Sequence, residues 1–287
     1  MKPWMSGLLV AAALWAPMAV HAAQPTAFTV QVSGKGKPMI LIAGLASSGA
    51  VWDATVAHYA PNYKCYVLQL AGFAGAPAIQ APLIETVEKE LAAYIDDQHL
   101  DHPTIVGHSL GGFVALKLAI DFPSKVGPLV IVDSLPALGA AQMPDVTAEQ
   151  LKANATRMRD GMLNSDDATR ETSRRAAITG MVTDPKDIER VVEWGTKSDR
   201  KVVADAMYEI MATDLRQDVA RIKTPTLVLG SWVAYKAYAP KAAFEATYKS
   251  QYAKLAGVQV ALPDIGRHFI MYDDPQWTLA RMDEFLK

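Results

Sequence analysis

Thr104-Ile105-Val106-Gly107-His108-Ser109-Leu110-Gly111-Gly112-Phe113 is the stretch on which the reading of this chain turns. An apolar run leads into small residues, and the apolar segment Phe113-Val114-Ala115-Leu116-Lys117-Leu118-Ala119-Ile120 follows. The expected order is a buried strand, a tight turn and a helix. Gly107, Ser109 and Gly111 are spaced as G-x-S-x-G. A turn this sharp brings neighbouring backbone too close for side chains at the flanking positions, and it holds the serine in a strained conformation with its hydroxyl exposed. Ser109 is therefore the candidate nucleophile; the alternative is a glycine-rich turn with an incidental serine.

Outward from this stretch, strand and helix signals alternate. Ala27 to Val32 alternates like a half-buried strand, and Ser33-Gly34-Lys35-Gly36 reads as a turn. Pro38 to Ile42 is a continuous apolar run, as a strand covered on both faces requires. Tyr63 to Leu70 reads as a further strand, and the glycines and Phe73 of the next loop are expected to edge a site. Leu83, Ile84, Val87, Leu91 and Ile95 fall at helical spacing, which predicts a helix from Pro82 to about His99. Val126 to Val132 predicts the next strand, with Asp133 at its carboxyl end. The recurrence predicts an α/β fold with a mostly parallel, doubly wound sheet. Ligands of such sheets bind at the carboxyl edge of the strands, so Ser109 and Asp133 are expected to share a rim.

From about residue 136 to 222 the pattern turns to helical periods, as in Val202, Val203, Ala206, Met207, Ile210 and Met211. This predicts a helical lid inserted into the sheet domain, because strand character resumes at Thr226-Leu227-Val228-Leu229. Met143, Met158, Met162, Met181, Met207 and Met211 lie in it, as acyl-pocket lining or as packing between helices. Trp232, Tyr235 and Tyr238 follow the resumed strand, as a pocket wall or an aromatic surface loop. A helix near Pro240 to Leu255, a strand over Val258 to Leu262 and a final helix after Asp273-Asp274-Pro275 complete the pattern.

Gly107-His108-Ser109-Leu110-Gly111-Gly112 resembles the nucleophile elbow of the α/β-hydrolase family, and the resemblance extends over essentially all of residues 23–287. It implies that the backbone N–H groups of Leu45 and Leu110 form an oxyanion hole. Many relatives carry a histidine just before the glycine of the first loop, where this chain has Ala43. The resemblance also implies that His268, shortly before Asp273-Asp274-Pro275, is the catalytic histidine. The commonest family pattern puts an acidic residue in the loop Gly230 to Tyr238, and none is present. Asp133 is the choice for the acid, at a position some members use, and it keeps the order nucleophile, acid, histidine. Asp264 competes, but it stands only four residues before His268. Asp133 also has the alternative of accepting backbone N–H bonds in its own turn.

The implied chemistry is acyl transfer to water: a serine hydrolase acting on a small lipophilic carboxylic ester or lactone through an acyl-enzyme, with no cofactor. The fold hosts other reactions, so two alternatives stay open. One is an aminopeptidase or amidase, for which Asp166, Asp167 and Glu171 would bind a substrate amine. The other is a ligand-binding relative without catalysis, suggested by the absent acid and the missing histidine before Gly44.

At 287 residues and 51% hydrophobic composition, one large domain is expected. A net charge of −2 without a Lys/Arg cluster argues against nucleic acid or an anionic membrane surface as partner. Cys65 is the single cysteine, so no disulfide forms within the chain. His58, His99, His102, His108 and His268 show no metal-ligand spacing, and no metal is expected. Met1-Lys2-Pro3-Trp4, the apolar run from Gly7 to Val20 and the small residues Ala22 and Ala23 read as a secretory signal peptide over residues 1–22, cleaved after Ala22 or Ala23. That run is short for a membrane span and contains Pro17. The mature protein is expected in the periplasm or outside the cell, without stable membrane insertion.

Overall fold

The computed structural model describes residue 1, residues 26–141, residue 143 and residues 145–287. Apart from Met1, the expected signal segment lies outside the described residues. Seven strands form one sheet: β1 (Phe28–Gly34), β2 (Lys37–Ile42), β3 (Tyr63–Leu70), β4 (Thr104–His108), β5 (Leu129–Val132), β6 (Thr226–Leu229) and β7 (Gln259–Ala261). Their order is β1-β3-β2-β4-β5-β6-β7. Only β1 runs antiparallel to its neighbour; the remaining pairs are parallel. The mostly parallel, doubly wound sheet expected from the sequence is thus observed. Strand β5 is shorter than expected, since Val126 is buried ahead of the strand, which starts at Leu129.

Every residue of β4, β5 and β6 is buried, because helices cover both faces. Successive side chains point to opposite faces, so the strands divide their apolar residues between two cores. Ile40, Ile42, Ile105, Leu129, Ile131 and Val228 pack on the side of α2 (Leu83–Asp97) and α3 (Leu110–Asp121). Met39, Leu41, Val106, Val130, Val132 and Leu229 pack on the other side, with Trp52, Phe269 and Met282. That second layer is built from α1 (Asp53–Tyr59) and α10 (Pro275–Phe285), and α9 (Ile270–Asp273) leads into the latter. Phe73 is fully buried in the first core, so it does not edge a site as expected. Its large ring is satisfied by apolar neighbours.

Between β5 and β6 the described residues form four α-helices, α4 (Ala148–Asn164), α5 (Asp167–Met181), α6 (Pro185–Lys197) and α7 (Arg200–Ala212). Each begins on a side-chain cap, from Thr147, Asp166, Asp184 and Asp199 respectively. Such caps satisfy N–H groups that the first turn leaves free. Helix α8 (Lys241–Gln251) lies between β6 and β7.

Candidate active site

The β4–α3 turn places Ser109 in backbone space that ordinary residues avoid, at φ 52 and ψ −117. Its flanking glycines are required by close approach. A Cβ on Gly107 would lie 2.3 Å from the Gly111 carbonyl oxygen, and one on Gly111 would lie 2.2 Å from that of Ile42. The Ser109 N–H donates to the Val132 carbonyl oxygen at 2.8 Å, which ties the turn to β5. Among the described residues the Ser109 hydroxyl makes no hydrogen bond, and it faces a cavity of about 1310 Å³ between the carboxyl edge of the sheet and the inserted helices.

Asp133 follows β5 directly, also at positive φ (47), and its N–H donates to the Leu229 carbonyl oxygen at 2.8 Å. Its carboxylate accepts four hydrogen bonds. Ser231 contributes its N–H at 2.9 Å and its hydroxyl at 2.7 Å, the Tyr248 hydroxyl donates a third, and His268 Nδ1 lies 2.6 Å from Oδ2. Burial by itself would raise the carboxyl's pKa, but the His268 imidazole and the Tyr248 and Ser231 donors outweigh it and hold the group below its ordinary value. Burial and the adjacent carboxylate push the Tyr248 hydroxyl well above its ordinary value, so it stays a donor. Gly230 makes room for this arrangement, since a Cβ there would meet the Tyr248 ring at 2.5 Å.

His268 stands on the loop between β7 and α9, and the inserted helices brace that loop. The Phe269 N–H donates to the Met181 carbonyl oxygen at 3.0 Å, and the Arg267 guanidinium donates to that of Thr179 at 2.7 Å. Beneath the loop, His108 is fully buried, with its ring 4.5 Å from that of His268. Its Nε2 lies 3.1 Å from the His268 carbonyl oxygen and therefore carries the donating proton. Burial first, and the neighbouring His268 second, push the His108 pKa down to about 3, which keeps this imidazole neutral.

The loop after β2 completes the wall. A Cβ on Gly44 would lie 3.2 Å from the Ser109 Cβ and 2.9 Å from His108 Nδ1, so this backbone runs against the elbow. Leu45 and Leu110 both line the cavity beside Ser109. Among the described residues, neither backbone N–H is engaged in a hydrogen bond.

The structure therefore brings Ser109, Asp133, His268, Leu45 and Leu110 to one cavity. Asp264 is elsewhere: its side chain is 86% exposed and pairs with Lys241 at 2.8 Å. Tyr235, Tyr238, Met158, Met162, Met181 and Met207 line the cavity. Trp232 instead donates from Nε1 to the Pro263 carbonyl oxygen at 2.7 Å. Asp166, Asp167 and Glu171 are outside the lining; Asp166 caps α5, and the other two pair with Arg170 and Arg174. The sequence reading missed Ser231, Tyr248 and His108. Ser231 sits in the very loop searched for a carboxylate, whereas Tyr248 looks like any aromatic residue on a helix.

Comparison with known proteins agrees with this architecture. The alpha/beta hydrolase family profile matches residues 39–281. A pimeloyl-[acyl-carrier protein] methyl ester esterase of Vibrio vulnificus (strain YJ016) is 25% identical over 205 residues, which is 69% of this chain and 76% of that protein. A hydrolase from Pseudomonas aeruginosa PA01 superimposes with a TM-score of 0.74 at 19% identity, covering 90% of this chain and 94% of its own. A thermophilic esterase from Thermogutta terrifontis gives a TM-score of 0.72 at 20% identity, with 90% of this chain and 92% of its own covered. With strand order, elbow and sequence profile in agreement, this chain belongs to the α/β hydrolase family.

Proposed function

We propose that the protein is a serine hydrolase that cleaves carboxylic esters, lactones included, through an acyl-enzyme. The observation that carries this reading is the 2.6 Å contact between His268 Nδ1 and the Asp133 carboxylate, in a cavity that Ser109 also lines. A carboxylate there holds the imidazole with its proton on Nδ1, leaving Nε2 free to act as a base. Ser109 attacks the ester carbonyl carbon as its proton passes to His268 Nε2, and the Leu45 and Leu110 N–H groups bind the oxyanion. His268 then protonates the departing alcohol oxygen. Water attacks the acyl-enzyme by the same route, releasing the acid and restoring Ser109. Losing one oxyanion donor in comparable sites costs about a hundredfold or more in rate.

The esterase names of the sequence relatives support ester hydrolysis. Helices α4 to α7 act as the lid, enclosing the acyl or alcohol part away from water. The N-terminal composition supports export to the periplasm or beyond. An amide substrate with a free amine is less well served, since none of Asp166, Asp167 and Glu171 faces the cavity.

The test is labelling of the protein with a fluorophosphonate, beside hydrolysis of nitrophenyl butyrate. Wild type should label and turn over, and Ser109→Ala should do neither. A wild type that is folded but unlabelled and inactive on esters would leave the ligand-binding alternative.

A further inference from the structure

A glycine within a helix weakens it relative to alanine, and it is normally explained by a positive φ or by a neighbour too close for a Cβ. Two glycines of the inserted helices have neither explanation. Gly161 on α4 and Gly180 on α5 do not take a positive φ, and a Cβ built on either meets nothing within 4 Å. Gly195, on α6, differs, because its Cβ would meet the Arg174 Cδ at 2.7 Å. Gly257 has open space but a φ of +70. Among the described glycines, Gly161 and Gly180 are thus the pair left without a backbone or packing reason.

Both line the cavity that holds Ser109 and His268. Met158 and Met162 of α4 and Ala177 and Met181 of α5 line it nearest these glycines, while Arg170, Ser173 and Arg174 line it further toward the start of α5. No residue of α5 is buried, and Gly161 and Gly180 are themselves exposed. At about 1310 Å³ the cavity also exceeds the roughly 300–1,000 Å³ usual for small-molecule sites. A group the size of a short acyl chain would leave most of it empty.

We propose that Gly161 and Gly180 determine specificity, kept bare so that the part of the cavity under α4 and α5 receives a large apolar group on the ester. The proposal rests on the serine-hydrolase reading for the chemistry, and it goes further by naming the substrate class. The preferred ester carries a long or bulky hydrocarbon on its acyl or its alcohol side, in place of the small one expected from sequence.

Gly161→Leu and Gly180→Leu fill the space, and Gly161→Ala and Gly180→Ala serve as folding controls. The alanine variants should melt no lower than wild type and by about 2 °C higher, because helix propensity improves and nothing is struck. For the leucine variants, kcat/KM on ethyl butyrate should stay within twofold of wild type. On ethyl decanoate, decyl butyrate or both, it should fall tenfold or more. Binding of the same three esters to Ser109→Ala protein, with and without each leucine, gives a reading independent of turnover and should show the same loss for the long esters. If binding shows this loss while wild type hydrolyses none of the esters, the serine-hydrolase reading fails and the cavity assignment stands. If the leucine variants treat all three esters as wild type does, in binding and in turnover, the assignment is overturned.

Discussion

Replacing Asp133 by asparagine changes one oxygen to an NH2 group and removes the charge, while leaving the shape of the side chain. The consequence follows from the four hydrogen bonds that the carboxylate accepts: the Ser231 N–H at 2.9 Å, the Ser231 hydroxyl at 2.7 Å, the Tyr248 hydroxyl, and His268 Nδ1 at 2.6 Å. An amide offers a single accepting oxygen, so its NH2 group must face what had been a donor. The Ser231 N–H and the Tyr248 hydroxyl both donate to Oδ1 and hold the amide oxygen at that position. The NH2 therefore takes the place of Oδ2, facing the Ser231 hydroxyl, which can rotate to accept, and His268, whose Nδ1 must give up its proton to accept. The proton moves to Nε2, and the imidazole can no longer receive one from Ser109. A histidine held in that tautomer costs about ten-thousandfold in kcat in a comparable triad, or about 5 kcal/mol at 1.36 kcal/mol per factor of ten. The assay is kcat/KM on nitrophenyl butyrate, with circular dichroism to establish that the variant is folded. A folded Asp133→Asn protein within tenfold of wild type would refute the role of this carboxylate.

Three further outcomes follow from this carboxylate and from the buried His108 beneath the His268 loop. Tyr248→Phe removes one donor from a buried carboxylate, and hydrogen bonds to charged groups are worth about 1.5–3 kcal/mol, so kcat/KM should fall by roughly ten- to a hundredfold at most. The Asp133 carboxyl is held below its ordinary value in the folded protein; its contribution to stability is present above the ordinary carboxylate range and is lost as pH falls toward the folded value. Tyr248→Phe brings the folded value closer to the unfolded one, so melting curves taken from pH 6 to 3 should show a smaller loss of stability than wild type, and equal losses would contradict it. His108 has its pKa pushed down to about 3, below the unfolded value of about 6.5. Its contribution is therefore complete above about pH 6.5 and declines as pH falls, by about 1.4 kcal/mol per pH unit. His108→Phe should lose about 2 kcal/mol less stability than wild type between pH 6.5 and 5 in denaturant titrations, and an unchanged pH dependence would refute the buried neutral imidazole.

Some features of this molecule were legible because they are local. The glycines around Ser109 announce a turn in which backbone passes within van der Waals range of backbone, a constraint acting over a few residues. The apolar runs of β4, β5 and β6 announce burial on both faces. Phe73 departs from its expected place and Trp232 had two open readings, for the same reason in reverse. An aromatic residue in a loop carries no mark of whether its ring meets the core or a cavity, and here one fills the core while the other bonds to Pro263.

The elbow and the strand pattern were determined by the sequence alone, since backbone sterics and side-chain periodicity operate between near neighbours. The contact between Asp133 and His268, by contrast, exists only through the sheet order, which sets β5 beside β6 and brings Asp133 to a histidine 135 residues later. The same order delivers Ser231 and Tyr248 to that carboxylate across 98 and 115 residues of chain. Hydrogen-bond partners at such separations leave no periodic trace, because nothing in the intervening residues has to change for the bond to form. The room in front of Gly161 and Gly180 is of this kind as well: a glycine is visible in the sequence, but the empty space beside it exists only once the helices are stacked over the sheet.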